Sequence, residues 1–368
     1  MTCAPGAAMA HPTPHTITAS PALAGPPGPK PTSLPDLRRS VVLLARFGGV
    51  EGFSLVEQPM PVVGPDEVRV RVLAASVQFT DVIIRKGKYP GLGQKPPLVL
   101  GYDVVGEIDE VGADVSTLAV GDRIADLTVT GSYARYRTLR ADRVVRVPPS
   151  VDAAEAAALV LSWTTAYQLL HRVARVVPGH RILVYGASGA VGQALLTLGR
   201  LAGLQTWGTC HASQAELVRS LGATPIDAAT QDAHLLVPEG FDAVFDGIGV
   251  RGFADAWTCV SKGGVLAAFG FSAAVNSDAP GWKLGWWLLR LHVWNWLPNG
   301  KRAHFYSIVP MRKQHLAWYR ADLEQLFALL AADAIHPRIA NRIALDAVAD
   351  AHRQLEAGGL SGKIILCP

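Results

Sequence analysis

The chain has 368 residues and a formal net charge of +4, and no segment concentrates basic residues as nucleic-acid binding requires. Hydrophobic residues make up 49% and charged residues 17% of it, which indicates a globular protein rich in buried sheet. This length exceeds one ordinary core and predicts two domains. Four scattered cysteines (Cys3, Cys210, Cys259 and Cys367) show no C-x-x-C spacing, which argues against a disulfide framework or a structural zinc and favours a reducing cytoplasm.

The first 38 residues are rich in Pro, Ala, Gly, Ser and Thr and carry almost no charge. They lack the basic start and the continuous apolar core of a signal peptide. We therefore expect residues 1–38 to form a disordered tail, with a later true start or a leftover of expression as alternatives.

The next part of the chain is strand-rich. Short apolar runs punctuated by Pro, Gly and Asp predict a twisted antiparallel, barrel-like domain. The predicted strands are 41–45, 67–75, 104–111, 122–127, 132–139 and 143–147. A helical run over 153–173 then leads out of this domain.

Strands and helices alternate from residue 181 onward, which predicts a doubly wound parallel sheet. The predicted strands are 181–185, 204–209, 242–246, 263–269 and 305–309. A helix over 317–332, a strand over 338–344, a helix over 346–357 and a last strand over 363–366 follow. We expect the last strand to close back on the first domain.

A glycine-rich turn lies between the strand 181–185 and a helix of small residues over 190–201. Glycines let the backbone approach a pyrophosphate, and the helix N-terminus offers free N–H groups and a positive dipole end. The strand–turn–helix context therefore predicts a dinucleotide site. The residues predicted to contact the cofactor here are Gly186, Ala187, Ser188, Gly189, Ala190, Val191 and Gly192.

The end of the second strand indicates which dinucleotide is bound. NAD-specific domains usually place Asp or Glu there for the ribose 2′-hydroxyl. In this chain no acid occurs before Glu216, and Arg219 and a protonatable His211 lie nearby. We therefore predict NADP(H), with Thr209, His211, Ser213 and Arg219 at the site. The alternative is that Thr209, His211 and Ser213 only cap the next helix.

Five of the nine tryptophans fall within residues 281–297. Wound as a helix, this segment is apolar nearly all round. It lacks the broad basic face of an interfacial membrane helix, and it is short for a membrane span. We expect a flap over the substrate cleft or a buried subunit contact rather than membrane attachment, and we place Trp286 and Trp287 against a large apolar substrate.

Several motifs in this order resemble the medium-chain dehydrogenase/reductase superfamily, and within it the zinc-independent quinone oxidoreductase group with zeta-crystallin and the VAT-type proteins. The motifs are ASVQFTD (75–81), RKGKY (85–89), LGYDVVG (100–106), VGDR (120–123), GSYA (131–134), TTAY (164–167), LGA (221–223) and GKI (362–364). The resemblance implies a GroES-like β-rich barrel domain over 39–160 and 316–368 and a Rossmann domain over 161–315. It also implies a homodimer.

Zinc-dependent members of the superfamily carry Cys and His where this chain has Gln78 and Phe79, and His-Glu where it has Tyr102 and Asp103. They also insert a cysteine-rich lobe where this chain has only the connection 124–130. Because zinc needs three or four thiolate, imidazole or carboxylate ligands, we predict no metal.

Without a metal, a reduction depends on positioning and on hydrogen-bond donors near the oxygen that gains charge. The resemblance implies that Gln78 and Tyr89 line the cleft as catalytic residues, with a loop-capping amide and a packing aromatic as the alternatives. Tyr102 is assigned to the substrate site. Ile83 stands where some relatives have another tyrosine, which weakens a quinone-specific mechanism.

Other residues are assigned to the cofactor or to the fold. Thr165 resembles a cofactor-facing residue, although helix packing competes as an explanation. Gly247 follows the strand 242–246 at the edge where ligands collect in such sheets. Phe269 and Phe271 follow the next strand and are expected near the nicotinamide. Asp81 is expected to cap the turn 82–85.

We therefore expect an NADPH-dependent oxidoreductase that reduces an apolar quinone or α,β-unsaturated carbonyl. One alternative is a scaffold or interaction protein that keeps the fold, and another is a pathway isomerase or cyclase, because fold does not determine function.

Overall fold

A computed structural model of the protein describes residues 38–89, 91–272 and 281–368, apart from the side chains of residues 281–283. The predicted disordered tail lies outside these residues except for Arg38, which is the first residue of a strand.

The strands, in chain order, are β1 (Arg38–Leu44), β2 (Phe53–Pro59), β3 (Glu67–Val77), β4 (Leu98–Val99), β5 (Asp103–Val111), β6 (Arg123–Leu127), β7 (Tyr136–Arg140), β8 (Val145–Arg146), β9 (Arg181–Tyr185), β10 (Gln205–Cys210), β11 (Thr224–Asp227), β12 (Phe241–Asp246), β13 (Val260–Ala268), β14 (Arg302–Phe305), β15 (Ile339–Ile343) and β16 (Lys363–Leu366). The α-helices are α1 (Phe79–Arg85), α2 (Ala153–Ala158), α3 (Thr164–Gln168), α4 (Ala190–Leu201), α5 (Ala215–Ser220), α6 (Ala233–Leu236), α7 (Ala254–Thr258), α8 (Gly281–Trp294), α9 (Ile308–Gln314), α10 (Leu316–Ala331) and α11 (Val348–Ala357).

One sheet is six-stranded, with the order β11-β10-β9-β12-β13-β14 and parallel pairing throughout. If the strands of this sheet are numbered from β9 in chain order, their spatial order is 3-2-1-4-5-6, which is that of the Rossmann fold. The predicted doubly wound sheet is therefore confirmed. The strand order reverses between β9 and β12. Ligands of such sheets bind at the carboxyl ends of the strands beside that reversal.

Two details of this sheet differ from the prediction. The sequence does not predict β11, a four-residue strand at the sheet edge that contains Pro225. The predicted strand over 305–309 was wrong, because β14 ends at Phe305 and α9 begins at Ile308. Pro310 is tolerated in the first turn of α9, since the N–H groups of that turn have no partner within the helix.

A second sheet is seven-stranded and mostly antiparallel, in the order β15-β16-β3-β5-β6-β8, with β7 also paired to β3. A three-stranded sheet, β2-β1-β4, adjoins it through a bridge between Val41 and Ala134. The last strand, β16, pairs antiparallel with β3, so that Ile365 lies opposite Ser76. The predicted closure of the C-terminus onto the first domain is confirmed.

A continuous helical run from Ala153 to Ala174 connects the two main sheets, and it includes two π-helical stretches. Asp152 caps its start by accepting hydrogen bonds from the backbone N–H groups of Ala154 and Glu155, both at 3.1 Å. Small buried side chains let the run lie close to β3, where the Ser76 hydroxyl donates to the Ala157 carbonyl at 2.9 Å. The run therefore holds the β-rich lobe and the parallel sheet together.

Among the described residues, no helix is both long enough and apolar enough to cross a membrane.

Because β16 returns to β3 with its apolar side chains fully buried, shortening one of them should destabilise the whole fold. We expect Ile365→Ala to lower the free energy of unfolding by about 2–5 kcal/mol. Val120→Ala is the matched control, since Val120 is 66% exposed and its loss should change stability by less than about 0.5 kcal/mol. Urea denaturation measures both variants, and equal midpoints would contradict the role given to β16.

Candidate functional site

The glycine turn between β9 and α4 is shaped for a close approach of backbone to backbone. Gly186 has a φ of +70°, which favours glycine. A Cβ atom on Gly192 would lie 2.4 Å from the Gly186 carbonyl oxygen, so a side chain there would push the helix away from the turn. Gly189 is the N-cap of α4. The first N–H groups of α4, on Ala190, Val191 and Gly192, have no partner within the helix and can bind an anion.

Two side chains from elsewhere brace this turn. Gly186 N–H donates to the Thr209 hydroxyl at 3.1 Å, and Ala187 N–H donates to the Thr209 carbonyl at 2.9 Å. The Gln193 amide donates to the Ser188 carbonyl at 2.7 Å. The turn therefore fits a dinucleotide pyrophosphate, which the residues Gly186–Gly192 would hold.

The second strand of the sheet ends beside this turn. His211, Ser213 and Arg219 are exposed there, and Arg219 is ion-paired with Glu216. The capping alternative does not describe this segment, because neither the 3-10 turn after His211 nor α5 has a side-chain cap. Hydrogen bonds from Thr230 and from Ala229 N–H lower the pKa of Asp227, at the end of the unpredicted β11, and His211 adds a smaller effect. A carboxylate thus lies near the predicted 2′-phosphate position.

The adjacent strand β12 ends in a loop organised by Asp246. Its carboxylate accepts from the backbone N–H groups of Ile248 at 2.7 Å and Gly249 at 2.9 Å, and burial raises the pKa of Asp246 to about 6. A Cβ atom on Gly247 would lie 2.7 Å from the Phe269 ring, so these two predicted residues meet at the strand ends. Phe271 instead stacks on Phe305, with ring centroids 6.4 Å apart.

A cavity of about 470 Å³ lies between the β-rich lobe and the segment that follows β14. Its lining residues are Tyr89, Gly91, Leu92, Gln94, Thr128, Val129, Thr130, Ser307, Val309 and Pro310. Since β14 ends at Phe305, the cavity is at the carboxyl end of the parallel sheet, as is the glycine turn. It offers hydroxyl and amide groups among apolar side chains.

The Tyr89 hydroxyl is 2.7 Å from the Tyr102 hydroxyl. Tyr102 is only 2% exposed, and it lies behind Tyr89 rather than among the cavity-lining residues. Burial raises the pKa of Tyr102 far above its usual range, with Tyr89 adding to the effect. The Tyr102 carbonyl also accepts from the N–H groups of Thr128 at 2.8 Å and Val129 at 3.1 Å, so Tyr102 fixes two parts of the cavity wall.

Gln78 is 6% exposed and belongs to a buried polar network instead of the cavity lining. Its amide donates to the Asp103 carboxylate at 2.6 Å and accepts from the Lys363 ammonium at 2.7 Å. Lys363 also donates to the Ser162 hydroxyl at 2.9 Å. Lys363 belongs to the GKI motif, but no role is predicted for it from the sequence, although a lone lysine in an apolar terminal strand is a signal that could have identified it.

The helix that Asp81 is expected to cap at 82–85 begins earlier, at Phe79, so Asp81 lies in its first turn and Gln78 is the N-cap residue. The Asp81 carboxylate accepts from Gln78 N–H at 2.9 Å, which closes a capping box between the two residues and gives Gln78 part of the capping role named as its alternative.

Thr165 is buried near the Tyr306 hydroxyl, which donates to the Gln168 amide oxygen at 2.7 Å. Thr165 is therefore packed among helices and polar side chains between the two lobes.

Trp286 and Trp287 are not among the residues that line the cavity. Trp286 is 57% exposed, and Trp287 packs on Phe253 with ring centroids 6.2 Å apart. Their assignment to the substrate has no contact in the described structure to support it.

No group of three or more His, Cys, Asp or Glu side chains that could hold a metal ion occurs in the parts of the chain that the structure describes.

Comparisons with known proteins agree with this architecture. Residues 64–149 match the model of the alcohol dehydrogenase GroES-like domain, and residues 221–366 match that of the zinc-binding dehydrogenase domain. A quinone oxidoreductase of Pseudomonas aeruginosa is 30% identical over 337 residues, which cover 89% of this chain and 99% of that protein. The chain belongs to the medium-chain dehydrogenase/reductase superfamily. Within it, the chain falls in the zinc-independent quinone oxidoreductase group, so the predicted fold and family are confirmed.

Two further similarities are informative. A 2-haloacrylate reductase from Burkholderia sp is 28% identical over 346 residues, covering 89% of this chain and 98% of that protein. The crystal structure of a quinone oxidoreductase from Pseudomonas syringae pv. Tomato DC3000 superposes with a TM-score of 0.78 at 27% identity, covering 90% of this chain and all of that one.

The geometry of the glycine turn predicts that a negative charge at position 188 weakens dinucleotide binding. Ser188→Asp places a carboxylate where the pyrophosphate would lie, and we expect dinucleotide binding to weaken at least tenfold, or about 1.4 kcal/mol. Ser188→Asn, of similar size and uncharged, is the control. Titration of each variant with NADPH, followed by tryptophan fluorescence, measures the effect. Equal dissociation constants for the two variants would argue against a phosphate at this turn.

The Lys363 network predicts a pH dependence of stability. Burial lowers the pKa of Lys363 from 10.5 to about 8, although Asp103 and Asp81 oppose the effect. Between these values the unfolded chain binds the proton and the folded chain does not, so this group makes stability rise with pH from about 8 to 10.5. We expect Lys363→Met to remove a slope of up to about 1.4 kcal/mol per pH unit. Denaturation curves across this range would refute the prediction if both proteins gave the same slope.

Proposed function

We propose that the protein is an NADPH-dependent oxidoreductase that reduces a quinone or an α,β-unsaturated carbonyl compound in the cavity beside Tyr89. Membership of a reductase family supports the reaction class, and a relative named for 2-haloacrylate, an α,β-unsaturated acid, supports the substrate class. The observation that carries the proposal is the paired hydroxyls of Tyr89 and Tyr102 at a cavity on the carboxyl side of the dinucleotide sheet.

The hydrogen bond between the Tyr89 and Tyr102 hydroxyls has a preferred donor. Within the described structure, the Tyr102 hydroxyl has one hydrogen-bond partner, the Tyr89 hydroxyl. A buried hydroxyl must donate its proton to avoid the cost of an unsatisfied donor, so Tyr102 donates to Tyr89. The hydrogen of Tyr89 is then free to point into the cavity. In this arrangement Tyr89 stabilises the substrate oxygen as it gains charge and can supply the proton.

The bound cofactor would supply a hydride to the electron-poor carbon. The chain itself supplies the remaining parts: the glycine turn holds the pyrophosphate, the cavity receives the substrate, and Tyr89 orients the carbonyl oxygen. Leu92, Val129 and Val309 give the cavity wall its apolar character. In place of the large apolar substrate that the tryptophan segment predicts, we infer a substrate of modest size with a conjugated carbonyl group, because the tryptophans that the structure describes do not line this cavity.

Preference for NADP(H) remains part of the proposal. It is supported by the absence of Asp and Glu from β10 and by the exposed cations near its end. Asp227 opposes it, because a carboxylate close to the ribose would repel a 2′-phosphate. Assembly as a homodimer and a cytoplasmic location stay predictions from the resemblance and the cysteine pattern.

The substrate class is tested with purified protein, NADPH and a panel of small enones, acrylates and quinones. We expect turnover of at least one class, with NADPH used in preference to NADH. If the protein binds NADPH but converts a panel compound to a product of unchanged redox state, the isomerase or cyclase alternative replaces the reductase.

The tyrosine pair makes its own prediction. We expect Tyr89→Phe to lower kcat by about 10²–10⁴-fold, with a smaller loss in Tyr102→Phe and little change in KM. The double variant should resemble Tyr89→Phe alone, because Tyr102 acts through Tyr89. Tyr136→Phe, on β7, is the control and should retain full activity. Fully additive losses would show that the two hydroxyls act separately and would contradict the assigned direction.

A further inference from the structure

Helix α1 lies between two of the residues that were assigned to the site. Gln78 is its N-cap, and Tyr89, in the cavity wall, follows its last residue, Arg85, by four positions. The backbone between them is tightly wound, because Lys88 N–H donates to the Ile83 carbonyl at 3.0 Å. The position of Tyr89 in the cavity wall therefore depends on where α1 ends.

The C-terminal helix α11 holds the end of α1. Arg85 is only 1% exposed, and its guanidinium donates to the Glu356 carboxylate. It also donates to the Gly48 carbonyl at 2.9 Å, and Gly48 N–H donates to the Arg85 carbonyl at 2.9 Å. Lys86 forms a second ion pair with Glu356 at 2.6 Å. Because a buried cation that loses its partner is costly, Glu356 fixes the last turn of α1 against α11.

The first turn of α1 is connected to the same helix through three buried side chains. Tyr133 donates its hydroxyl hydrogen to the Asp81 carboxylate, and its oxygen is 3.3 Å from His352 Nε2. The rings of Tyr133 and His352 meet edge to face, with centroids 6.1 Å apart. Burial lowers the pKa of His352 to about 3, with a smaller effect of Arg85, so its ring is neutral and has one N–H donor. The Tyr133 oxygen therefore accepts from His352 Nε2–H.

Asp81 extends this chain of hydrogen bonds to the segment that contains Tyr102. Its carboxylate accepts from Gly101 N–H at 3.3 Å, and Gly101 directly precedes Tyr102. His352 and Glu356 are four residues apart, so they lie on one face of α11. This single face of α11 thus contacts both segments that place the tyrosine hydroxyls.

We propose that α11 positions the pair of hydroxyls on Tyr89 and Tyr102. Glu356 acts on Tyr89 through Arg85, and His352 acts on Tyr102 through the chain of hydrogen bonds to the first turn of α1. Neither Glu356 nor His352 is among the described residues that line the cavity, so both are positioning residues. This inference rests on the proposed function, because it concerns the same site.

The first test is turnover of an enone with NADPH by variants of α11. We expect Glu356→Ala to lower kcat roughly tenfold or more, with KM and NADPH affinity little changed, because the Tyr89 hydroxyl loses its alignment with the substrate oxygen. Glu356→Gln can still accept from Arg85 and should recover most of the activity. Asp350→Ala is the matched control, since Asp350 lies on the same helix and pairs with Arg353 at the surface.

A double-mutant cycle separates positioning from a purely structural role. In the Tyr89→Phe protein, Glu356→Ala should lower kcat less than about twofold, because the hydroxyl that it positions is already absent. An equal loss of kcat with and without Tyr89 would overturn the proposal and assign Glu356 to stability alone. If Glu356→Ala does not fold, Arg85→Met/Glu356→Leu takes its place in the cycle, since it removes the buried pair without leaving an unpaired charge.

His352 is tested in the same way against Tyr102. We expect His352→Leu to lower kcat in the wild-type protein but not in Tyr102→Phe. His352→Gln keeps an N–H donor and should retain more activity than His352→Leu. Equal losses in the two backgrounds would remove His352 from the proposal.

Fluorine NMR of the protein labelled with 3-fluorotyrosine tests the positioning without any turnover. The Tyr89 resonance is the one that is absent from Tyr89→Phe. We expect it to shift or broaden in Glu356→Ala and to stay unchanged in Asp350→Ala. An unchanged resonance in Glu356→Ala would overturn the proposal even for an active reductase. If the wild-type protein converts no compound of the panel but Glu356→Ala moves this resonance, the proposed function fails and the positioning by α11 stands.

Discussion

The buried ammonium group of Lys363 joins the parts of the molecule that form the cleft. It comes from the C-terminal strand β16 and donates to Gln78, which follows β3, and to Ser162, in the connecting helical run. Asp103, at the start of β5, completes the network through Gln78. A buried charge that loses its partners is costly, so these four segments must stay together. The arrangement fixes the β-rich lobe against the helices that lead into the parallel sheet.

The connection through Lys363 places two binding surfaces at the same edge of the protein: the strand ends that suit a dinucleotide, and the cavity beside Tyr89. The glycine turn and the Asp246 loop follow neighbouring strands where the sheet order reverses, and they suit a dinucleotide. Tyr89 belongs to the β-rich lobe, and it lines the cavity because this lobe lies against the segment that follows β14. The proposed chemistry therefore depends on the contact between the lobes as much as on any single side chain.

Much of this could be predicted from the sequence, because local patterns specify it. The strand over 181–185 and the last strand over 363–366 match β9 and β16 residue for residue, since each is an apolar run bounded by turn residues. The strand predicted over 305–309 was wrong, because apolar residues followed by proline suit either a strand or the first turn of a helix. β11 escaped notice because its four residues include a proline.

The site was less predictable than the fold, because its contacts join residues far apart in the chain. Gln78 and Lys363 are 285 positions apart, and no periodicity connects them. Thr209 was predicted to contact the cofactor, yet its hydroxyl accepts from the glycine turn, a pairing that only the strand register creates. Four of the five tryptophans of 281–297 lie on the predicted helix and Trp296 lies beyond its end, but the sequence could not show which of them face the sheet and which face solvent.

The most direct test of the account is to follow the hydride itself. The protein is incubated with NADPH deuterated at C4 of the nicotinamide and with an enone that it consumes, and the product is analysed by NMR. The account predicts deuterium on the β-carbon of a saturated ketone, with the proton at the α-carbon derived from solvent. Consumption of the enone with no deuterium in the product would contradict it and would show that this cleft performs a different reaction.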